Sequence, residues 1–220
     1  MKKLENYKKE NIMFNGLKAT IINFRRVHDI DIMFENGVEV LHKDYYKFLD
    51  GNIKCPMIYN CKNDYVECIN PNTKDAFYIS KEDLNKIKQI EYWHIDKTNG
   101  YVKNSKSIYL HRYIMDCKKG MYIDHINHNK LDNRRSNLRV CTSQENNFNS
   151  ITPKNSSTGY KGITKRGNKY RVKIAKDGNQ ICLGTYDNID DAISQYNKHA
   201  KLLFVEFAYF NWKHLKNLSG

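Results

Sequence analysis

A polar, asparagine-rich stretch in the middle of the chain constrains the fold more than any other feature. Residues 122–147 read Tyr-Ile-Asp-His-Ile-Asn-His-Asn-Lys-Leu-Asp-Asn-Arg-Arg-Ser-Asn-Leu-Arg-Val-Cys-Thr-Ser-Gln-Glu-Asn-Asn. An apolar pair precedes Asp124 and His125, a polar loop follows them, and residues 138–141 are typical of a second strand. Thr142 and Glu145 have the spacing of a capping box, which predicts a helix from residue 143. The stretch therefore predicts a strand, a loop, a strand and a helix.

Such a unit can bring Asp124 on the first strand and Asn146 on the helix to one point. A carboxylate and an amide oxygen suit a hard divalent cation such as Mg²⁺ or Mn²⁺, which accepts further oxygens from water and phosphate. His125 lies beside that point, and its ordinary pKa of about 6.5 suits the deprotonation of water near neutral pH. Because neighbours on a regular strand point to opposite faces, a shared site predicts an irregular strand end here. An asparagine-rich loop with a hydrogen-bonded histidine and no chemistry is the open alternative.

The same stretch closely resembles the HNH family of nucleases, which have a ββα-metal fold. The resemblance rests on Asp124-His125, on Asn137-Leu138-Arg139, on Thr142 to Asn146 and on the upstream Leu110-His111-Arg112. It covers approximately residues 108–150. The combination of these motifs is specific, whereas an Asp-His pair alone is not.

The resemblance implies a role for each matched residue. His125 would be the general base that activates water. Asp124 and Asn146 would hold one divalent ion, which would contact the scissile phosphate and stabilise the leaving 3′ oxygen. Asn137 would brace the loop through hydrogen bonds to the backbone.

Other residues of this region have less specific expected roles. Arg139 is expected to meet a phosphate, and Arg112 is a second candidate for contact with DNA. For His111, packing or loop bracing is favoured over direct catalysis. His128 is expected to be a loop residue, because no second pair of ligands stands at zinc-binding spacing. The six cysteines contain no C-x-x-C pair either, so no structural zinc is expected.

Basic residues are concentrated in the second half of the chain. The formal net charge is +13, and residues 151–220 contain 12 basic and 5 acidic side chains, against 17 and 15 in residues 1–105. Such a balance favours an anionic partner, of which nucleic acid is the commonest. A solvated basic surface with no partner is the alternative.

Composition and turn signals divide the chain into blocks. In the first block Ile30, Ile32 and Phe34 alternate with polar residues, and Asn36-Gly37 predicts a hairpin, so a β-rich module of unknown role is expected. The predicted parts are this N-terminal module at 1–57, the nuclease domain at 58–150, a linker at 151–158, a DNA-binding module at 159–211 and a tail at 212–220.

Two helices are predicted in the second block ahead of the asparagine-rich stretch. Ser80 and Asp83 have the spacing of a cap for a short helix at 81–88. Residues 107–116 are predicted to be helical, with Ile108, His111 and Met115 at helical spacing.

The last block predicts three short strands followed by one helix. Val172 and Ile174 alternate with Arg171 and Lys173, and Asp177-Gly178 is a strong hairpin turn. The helix would cover one face of the sheet and leave the other face basic and open. Its apolar stripe is predicted to contain Ala192, Tyr196, either His199 or Ala200, and Leu203.

This block is similar to the plant APETALA2-type DNA-binding domain in the form found fused to HNH nucleases. The similarity rests on residues 159–163, 170–174 and 183–186, on Asp191-Ala192, Tyr196 and Ala200, and on Phe207-Ala208 with Asn211. The plant pattern has arginines at 164, 175 and 180, an acid at 173 and tryptophan at 182, so the plant target sequence cannot be transferred. The resemblance places Lys161, Thr164, Arg166, Lys173, Ala175, Gln180 and Cys182 toward DNA, and Arg171 on the basic face is a further candidate.

Together these observations predict an α+β protein with a small N-terminal β module, a ββα-metal nuclease domain and a C-terminal three-stranded sheet with one helix. The expected function is metal-dependent hydrolysis of phosphodiester bonds in double-stranded DNA, with one Mg²⁺ or Mn²⁺ ion per site and no organic cofactor. The arrangement resembles homing endonucleases of phages and mobile introns. One site per chain implies nicking of one strand unless two chains pair, and a monomer is favoured over a homodimer.

Two other function classes stay open at this point. One is a DNA-binding regulator with an inactive nuclease centre. The other is an RNA-binding protein, whose tyrosines would stack on single strands. No apolar run approaches the roughly 18–20 residues of a membrane span, and no secretory core follows the N-terminus. A cytoplasmic protein of a bacterial or phage-infected cell, without a membrane partner, is therefore expected.

Overall fold

A computed structural model describes residues 7–150, 152 and 156–211. Half of the predicted linker and all of the predicted tail at 212–220 lie outside these residues. The described chain divides into two compact units, and each is described by itself. The first contains Asn129–Leu138 and the residues up to Asp116, and the second contains Cys117–His128 and the residues from Arg139 onward. This division does not test the domain boundaries predicted from the sequence.

The first unit begins with an antiparallel sheet that has its own hydrophobic core. Ile30, Ile32 and Phe34 are buried, as their alternation predicts, and Phe48 packs into the same core. Gly37 has a φ of 82° and closes the predicted hairpin, a conformation that glycine adopts without strain. This segment is β-rich as predicted, and its bounds and role as a module stay predictions. Numbered along the chain, its elements are β1 (Glu10–Ile12), β2 (Lys18–Arg26), β3 (Asp29–Phe34), β4 (Glu39–Lys43) and α1 (Tyr45–Leu49), with sheet order β1-β2-β3-β4.

A second sheet and a small hairpin complete the strands of this unit. The strands of the sheet are β5 (Ile58–Cys61), β6 (Val66–Asn70), β7 (Asp75–Ile79) and β11 (Asp132–Asn133), and the hairpin joins β8 (His94–Ile95) to β9 (Val102–Lys103). The sheet has the order β11-β7-β6-β5, in which β11 runs parallel to β7 and the other neighbours are antiparallel. Buried residues of β6 and β7 alternate with half-buried ones, as expected for a sheet with unequal faces.

The helix predicted at 81–88 is broken and is not capped as predicted. Lys81–Asp83 form a 3₁₀ turn, and α2 spans only Leu84–Ile87. Ser80 makes no capping bond, because its Oγ accepts from the Arg135 backbone N–H at 2.9 Å. Asp83 is 2% exposed and binds the Arg135 guanidinium at 2.8 Å. The predicted cap is wrong because both of its side chains bind an arginine that is distant in sequence.

The helix predicted over residues 107–116 is shorter than expected. The helix α3 spans Leu110–Ile114. Ser107 and Asp116 have φ angles of 60° and 48°, and this left-handed conformation cannot continue a right-handed helix on either side. Leu110, His111 and Ile114 form the buried face, whereas the predicted Ile108 is 40% exposed.

The two strands and the helix predicted from the asparagine-rich stretch are present, but most of the predicted loop between the strands belongs to the first unit and contains β11, and the ββα-metal layout stays a prediction. The strands β10 (Tyr122–His125) and β12 (Leu138–Cys141) form a two-stranded sheet, and α4 (Ser143–Phe148) follows. The capping box is present, since Thr142 Oγ1 accepts from Glu145 N–H and Glu145 Oε2 accepts from Thr142 N–H at 2.7 Å. These two bonds satisfy backbone donors that the first turn of a helix leaves open.

The second unit ends in the predicted module of three antiparallel strands and one helix. Val172 and Ile174 are buried, and the helix covers that face of the sheet. Ala200 rather than His199 belongs to the buried stripe, and Phe204 rather than Leu203 ends it. The elements are β13 (Ile163–Arg166), β14 (Lys169–Lys176), β15 (Asn179–Tyr186) and α5 (Ile189–Phe204).

Close packing of this module depends on one glycine. Gly162 has a φ of 72°, and a Cβ there would lie 2.3 Å from the carbonyl oxygen of Lys173 and 2.4 Å from the Tyr196 ring. Only glycine fits this approach of strand to helix. Among the described residues, no helix combines the length and the apolar character that a membrane crossing requires.

Candidate functional site

The carboxylate of Asp124 lies at the centre of the candidate site. Asp124 is on β10 and is only 6% exposed. Arg139, on the paired strand β12, donates to Oδ2 through Nε at 2.8 Å and through Nη2 at 2.6 Å. Asn149, the residue that ends α4, donates through Nδ2 to Oδ1 at 3.0 Å and to Oδ2 at 2.9 Å. One residue from the neighbouring strand and one from the helix therefore hold the carboxylate.

Oxygen atoms crowd around the amide of Asn149. Besides the two carboxylate oxygens, the carbonyl oxygens of His125 and Ile126 lie 3.4 and 3.5 Å from its Nδ2. An amide nitrogen has two hydrogens, so four acceptors outnumber its donors. Such a cluster of hard oxygen ligands is the environment that a divalent cation prefers.

The sequence prediction singled out Asn146 but not Asn149. Asn146 is half-buried on α4, three positions before Asn149, and residues three apart are neighbours on a helix. The structure thus gives the contact with Asp124 to the next asparagine on the same side of the helix. Asn149 could have been found from its spacing, because it is an asparagine about one helical turn after Asn146. Ion binding by Asn146 stays a prediction.

His125 is 5% exposed and directly follows Asp124. Its carbonyl oxygen accepts from His128 N–H at 2.9 Å, in a turn where His128 has a φ of 63°. Burial lowers the pKa of His128, which favours its neutral form, and its ring packs against Tyr209 at 5.7 Å between centroids. Ile123, Asp124 and His125 are all buried, so both faces of the strand are covered at the site. The irregular strand end and the general-base role of His125 stay predictions.

Arg139 is held on three sides within the second unit. Beyond its bonds to Asp124, Nη1 donates to the carbonyl oxygen of Glu206, and the guanidinium lies 4.2 Å from the centre of the Phe207 ring. Its side chain is 14% exposed. Contact with a phosphate, which the sequence predicts for Arg139, requires some of these bonds to be exchanged.

Lys161 binds the end of α4 in this structure. Its ammonium donates to the carbonyl oxygens of Asn147, Phe148 and Ser150 at 2.9, 2.8 and 3.0 Å. An ammonium has three N–H groups, so these acceptors can engage all of them. Burial lowers the pKa of Lys161 to about 8. A DNA contact by Lys161 stays a prediction and would have to replace these bonds.

The other predicted DNA-facing residues share one face of the three-stranded sheet. The register pairs Thr164 with Arg171, Lys173 with Cys182 and Ala175 with Gln180. Directly paired residues of antiparallel strands project to the same face, and every second residue does so along a strand. Arg166, two residues after Thr164, extends this face. Thr164, Lys173, Ala175 and Gln180 also line, with α4, a cavity of about 620 Å³.

Three predicted residues lie in the first unit. Asn137 is buried and donates through Nδ2 to the carbonyl oxygen of Asp132 at 2.8 Å, so the expected backbone bond is present. His111 is buried with its ring 5.0 Å from that of Tyr101 and 5.6 Å from that of Tyr109, between centroids, which favours packing. Arg112 is half-buried on α3.

Within the described residues, a second group of potential metal ligands occurs in the N-terminal sheet. Ligand atoms of Asp29, Asp31 and His42 lie within 4.8 Å of one another. Arg25 donates to Asp29 at 2.9 Å and to Asp31 at 2.5 Å, so a guanidinium already balances these carboxylates. The bonds from Arg25 hold the pKa of both carboxyl groups below the ordinary range. This group is therefore explained as an ion-pair network.

Comparisons with known proteins agree with the position of the site. Residues 109–148 match the family model described as HNH endonuclease. An uncharacterized HNH endonuclease of Acanthamoeba polyphaga mimivirus is 35% identical over 124 residues, which are 53% of this chain and 64% of that protein. Protein 3.8 of Escherichia phage T7 is 39% identical over 64 residues, which are 28% of this chain and 53% of that protein. No solved structure matches the chain significantly.

The matched segment contains Asp124, His125, Arg139 and Asn146 and ends just before Asn149. Residues 109–148 are therefore similar to the HNH endonuclease family, and the mimivirus relative is itself named as an HNH endonuclease. The chain spans less than two thirds of the length of the two relatives. The APETALA2-type character of the last module stays a prediction.

Proposed function

We propose that the protein is a metal-dependent endonuclease that hydrolyses phosphodiester bonds in double-stranded DNA. One observation carries the proposal. A buried carboxylate, Asp124, lies beside His125 among converging oxygen atoms, within a segment that matches the HNH endonuclease family. A buried carboxylate with a neighbouring histidine is an arrangement that suits hydrolysis assisted by a cation.

The residues around Asp124 fit one hard divalent ion. A carboxylate and amide oxygens are ligands of Mg²⁺ and Mn²⁺, which complete their shells with water and substrate phosphate. Asp124 would hold the ion together with Asn146, and Asn149 would orient the carboxylate. When bound, the ion would supply positive charge at the scissile phosphate and at the leaving 3′ oxygen. Plasmid cleavage measured with each ion separately distinguishes use of Mg²⁺ from use of Mn²⁺.

His125 would act as the general base. A neutral imidazole nitrogen would take a proton from water as the water oxygen forms a bond to phosphorus. The bond from phosphorus to the 3′ oxygen would break, and that oxygen would leave with the electron pair and take a proton from solvent water. Asn137 would brace the loop that precedes β12 through its bond to the Asp132 carbonyl. His111, packed between tyrosines, would support the fold of its own unit rather than touch substrate.

The basic face of the C-terminal sheet would bind the DNA duplex. Arg166, Arg171 and Lys173 share this face with Thr164 and Gln180. A small sheet can enter the major groove, where arginines read guanine and lysines bind phosphate. This use of the sheet resembles that of APETALA2-type domains. Arg112 and Arg139 are further candidates for phosphate contact.

We further propose that a monomer nicks one strand, because the described residues of one chain contain one such site. A homing role, in an intracellular setting such as a phage-infected cell, accords with this activity. A single catalytic site that cuts both strands would need a second chain or a second binding event.

The proposal is tested on supercoiled plasmid incubated with the protein and Mg²⁺ or Mn²⁺. Nicked circles should accumulate with the wild type, chelation should stop the reaction, and His125→Ala should be slower by about 10²–10⁴. His199→Ala is the matched control, because His199 lies on α5 and binds the Gln195 carbonyl within that helix. Equal rates for His125→Ala and wild type would show that the base is misassigned.

A second candidate function is favoured by the bonds of Arg139. Because its guanidinium already neutralises Asp124, the chain could be a DNA-binding regulator with an inactive centre. Such a protein would bind duplex DNA but leave the plasmid intact with either metal. The plasmid assay therefore separates the two functions.

A further inference from the structure

We propose that the C-terminal module controls the cation affinity of the Asp124 site through Arg139. Arg139 acts as a positioning residue that binds Asp124, and residues 206–207, in the 3₁₀ turn that follows α5, hold Arg139 in place. This inference rests on the proposed function, because it assumes that Asp124 binds a cation. It adds a role for the module beyond contact with DNA.

The bonds of the Arg139 guanidinium fix its position. The guanidinium is planar and its N–H groups form a fixed fork. Two of its nitrogens, Nε and Nη2, donate to one oxygen of Asp124, while Nη1 donates in another direction to the Glu206 carbonyl. The Phe207 ring lies against the guanidinium at 4.2 Å, the arrangement of a cation–π contact. The group is therefore fixed by the carboxylate and by the module together.

The positive charge of Arg139 competes with a cation for Asp124. A guanidinium nitrogen 2.6 Å from the carboxylate oxygen supplies positive charge at the point where a cation would bind. Like charges repel strongly where both groups are shielded from water, and Arg139 is only 14% exposed. A cation must therefore share Asp124 with Arg139 or displace it. The tighter the module holds Arg139, the weaker the cation should bind.

The C-terminal module also supports Asn149, the other hydrogen-bond partner of Asp124. Asn149 ends α4, and Lys161 of the module binds the carbonyl oxygens at this end of the helix. Phe148 of α4 stacks on Phe204 of α5, with centroids 3.9 Å apart and planes 15° apart. Both partners of Asp124, from β12 and from α4, are thus supported by the same module.

The experiment measures Mn²⁺ binding to the full chain without DNA, from the electron paramagnetic resonance signal of free Mn²⁺. Arg139→Met removes the charge and keeps much of the apolar stem, and it should lower the Kd for Mn²⁺ by at least about tenfold. Phe207→Leu should lower the Kd by a smaller factor. The double variant should resemble Arg139→Met alone, because both changes act through one contact. Lys198→Met, which removes one charge from the exposed side of α5, is the matched control and should leave the Kd unchanged.

An unchanged or higher Kd in both Arg139→Met and Phe207→Leu would overturn the inference. If Arg139→Met does not fold by circular dichroism, Phe207→Leu decides alone. Absence of Mn²⁺ binding in every protein would overturn the ion site and the inference together. The predicted shifts without plasmid cleavage would support the inference while the nuclease proposal fails.

Discussion

At the scale of single residues, the proposed site depends on which groups balance the negative charge of the Asp124 carboxylate. A carboxylate that is 6% exposed needs donors or a cation around it, because burial of an unpaired charge is costly. Sequence reasoning could find Asp124 and His125 from the motif. It could not find the bonds from Arg139 and Asn149, since these depend on the pairing of β10 with β12 and on the direction in which α4 leaves the sheet.

The first prediction concerns the two asparagines of α4. Asn149→Ala removes the amide from a buried carboxylate and should lower the free energy of unfolding by about 1–3 kcal/mol. Asn146→Ala should slow plasmid cleavage while it changes that free energy by no more than about 0.5 kcal/mol. Urea unfolding and the cleavage assay measure the two effects. Asn147→Ala, at an exposed position of the same helix, is the control and should change neither.

This prediction also separates the sequence hypothesis from the structural finding. If Asn146→Ala cleaves plasmid normally and Asn149→Ala does not, the amide that serves the ion belongs to Asn149. If Asn149→Ala is as stable as the control, its bonds to Asp124 contribute nothing measurable to folding.

The second prediction concerns Lys161 and pH. Burial lowers its pKa from 10.5 to about 8, although its bonds to carbonyl oxygens favour the charged form. Between pH 8 and 10.5 the unfolded chain therefore binds a proton that the folded protein does not, so this group makes the protein more stable as pH rises. The unfolding free energy of wild type minus that of Lys161→Met should increase from pH 8 to pH 10. A constant or falling difference would show that folding does not lower the pKa of the Lys161 ammonium.

At the scale of secondary-structure elements, turn and capping signals predicted the elements well, but distant contacts changed their ends. The hairpin at Asn36-Gly37 and the capping box of Thr142 depend on neighbouring residues, so their patterns are legible in sequence. Ser80 does not form the expected cap, because its hydroxyl oxygen accepts a hydrogen bond from the Arg135 backbone N–H. The short span of α3 follows from left-handed residues at both ends, which polar loop residues adopt without a distinctive sequence pattern.

The third prediction tests the helix that carries the site amides. Thr142→Ala removes the hydroxyl oxygen that accepts from the Glu145 backbone N–H, and it should lower the free energy of unfolding by about 1 kcal/mol. Thr142→Ser keeps the hydroxyl and should stay close to wild type. Denaturant unfolding of the three proteins measures this, and equal stability of all three would mean that the cap is not needed to start α4.

At the scale of the whole molecule, the sequence predicts a basic C-terminal module, and the structure groups residues that are distant in sequence. Residues 159–211 form the predicted sheet and helix because local alternation, a strong turn and a capped helix all agree. The second unit, however, also includes residues 117–128 and 139–150, taken from the middle of the predicted nuclease domain. No local pattern reports such a division, since it depends on contacts between residues that are distant in sequence.

The fourth prediction concerns duplex binding by the whole protein. Arg166→Ala should weaken binding of duplex DNA and reduce the slope of log K against log salt by about 1, because one phosphate contact fewer releases about one counterion fewer. Lys198→Ala removes the same charge from the opposite side of the module, where α5 lies, and should keep the slope. Titrations at several salt concentrations measure both. Equal slopes for the two variants would place the DNA surface elsewhere, and tighter binding of single-stranded RNA than of duplex DNA would favour a different partner.

The central claim is that Asp124 binds the cation on which cleavage depends. Anomalous X-ray scattering from crystals of the full chain grown with Mn²⁺ tests it most directly. The account predicts an anomalous peak within coordination distance of the Asp124 carboxylate, beside His125 and α4. A peak at Asp29, Asp31 and His42 with none at Asp124 would contradict it.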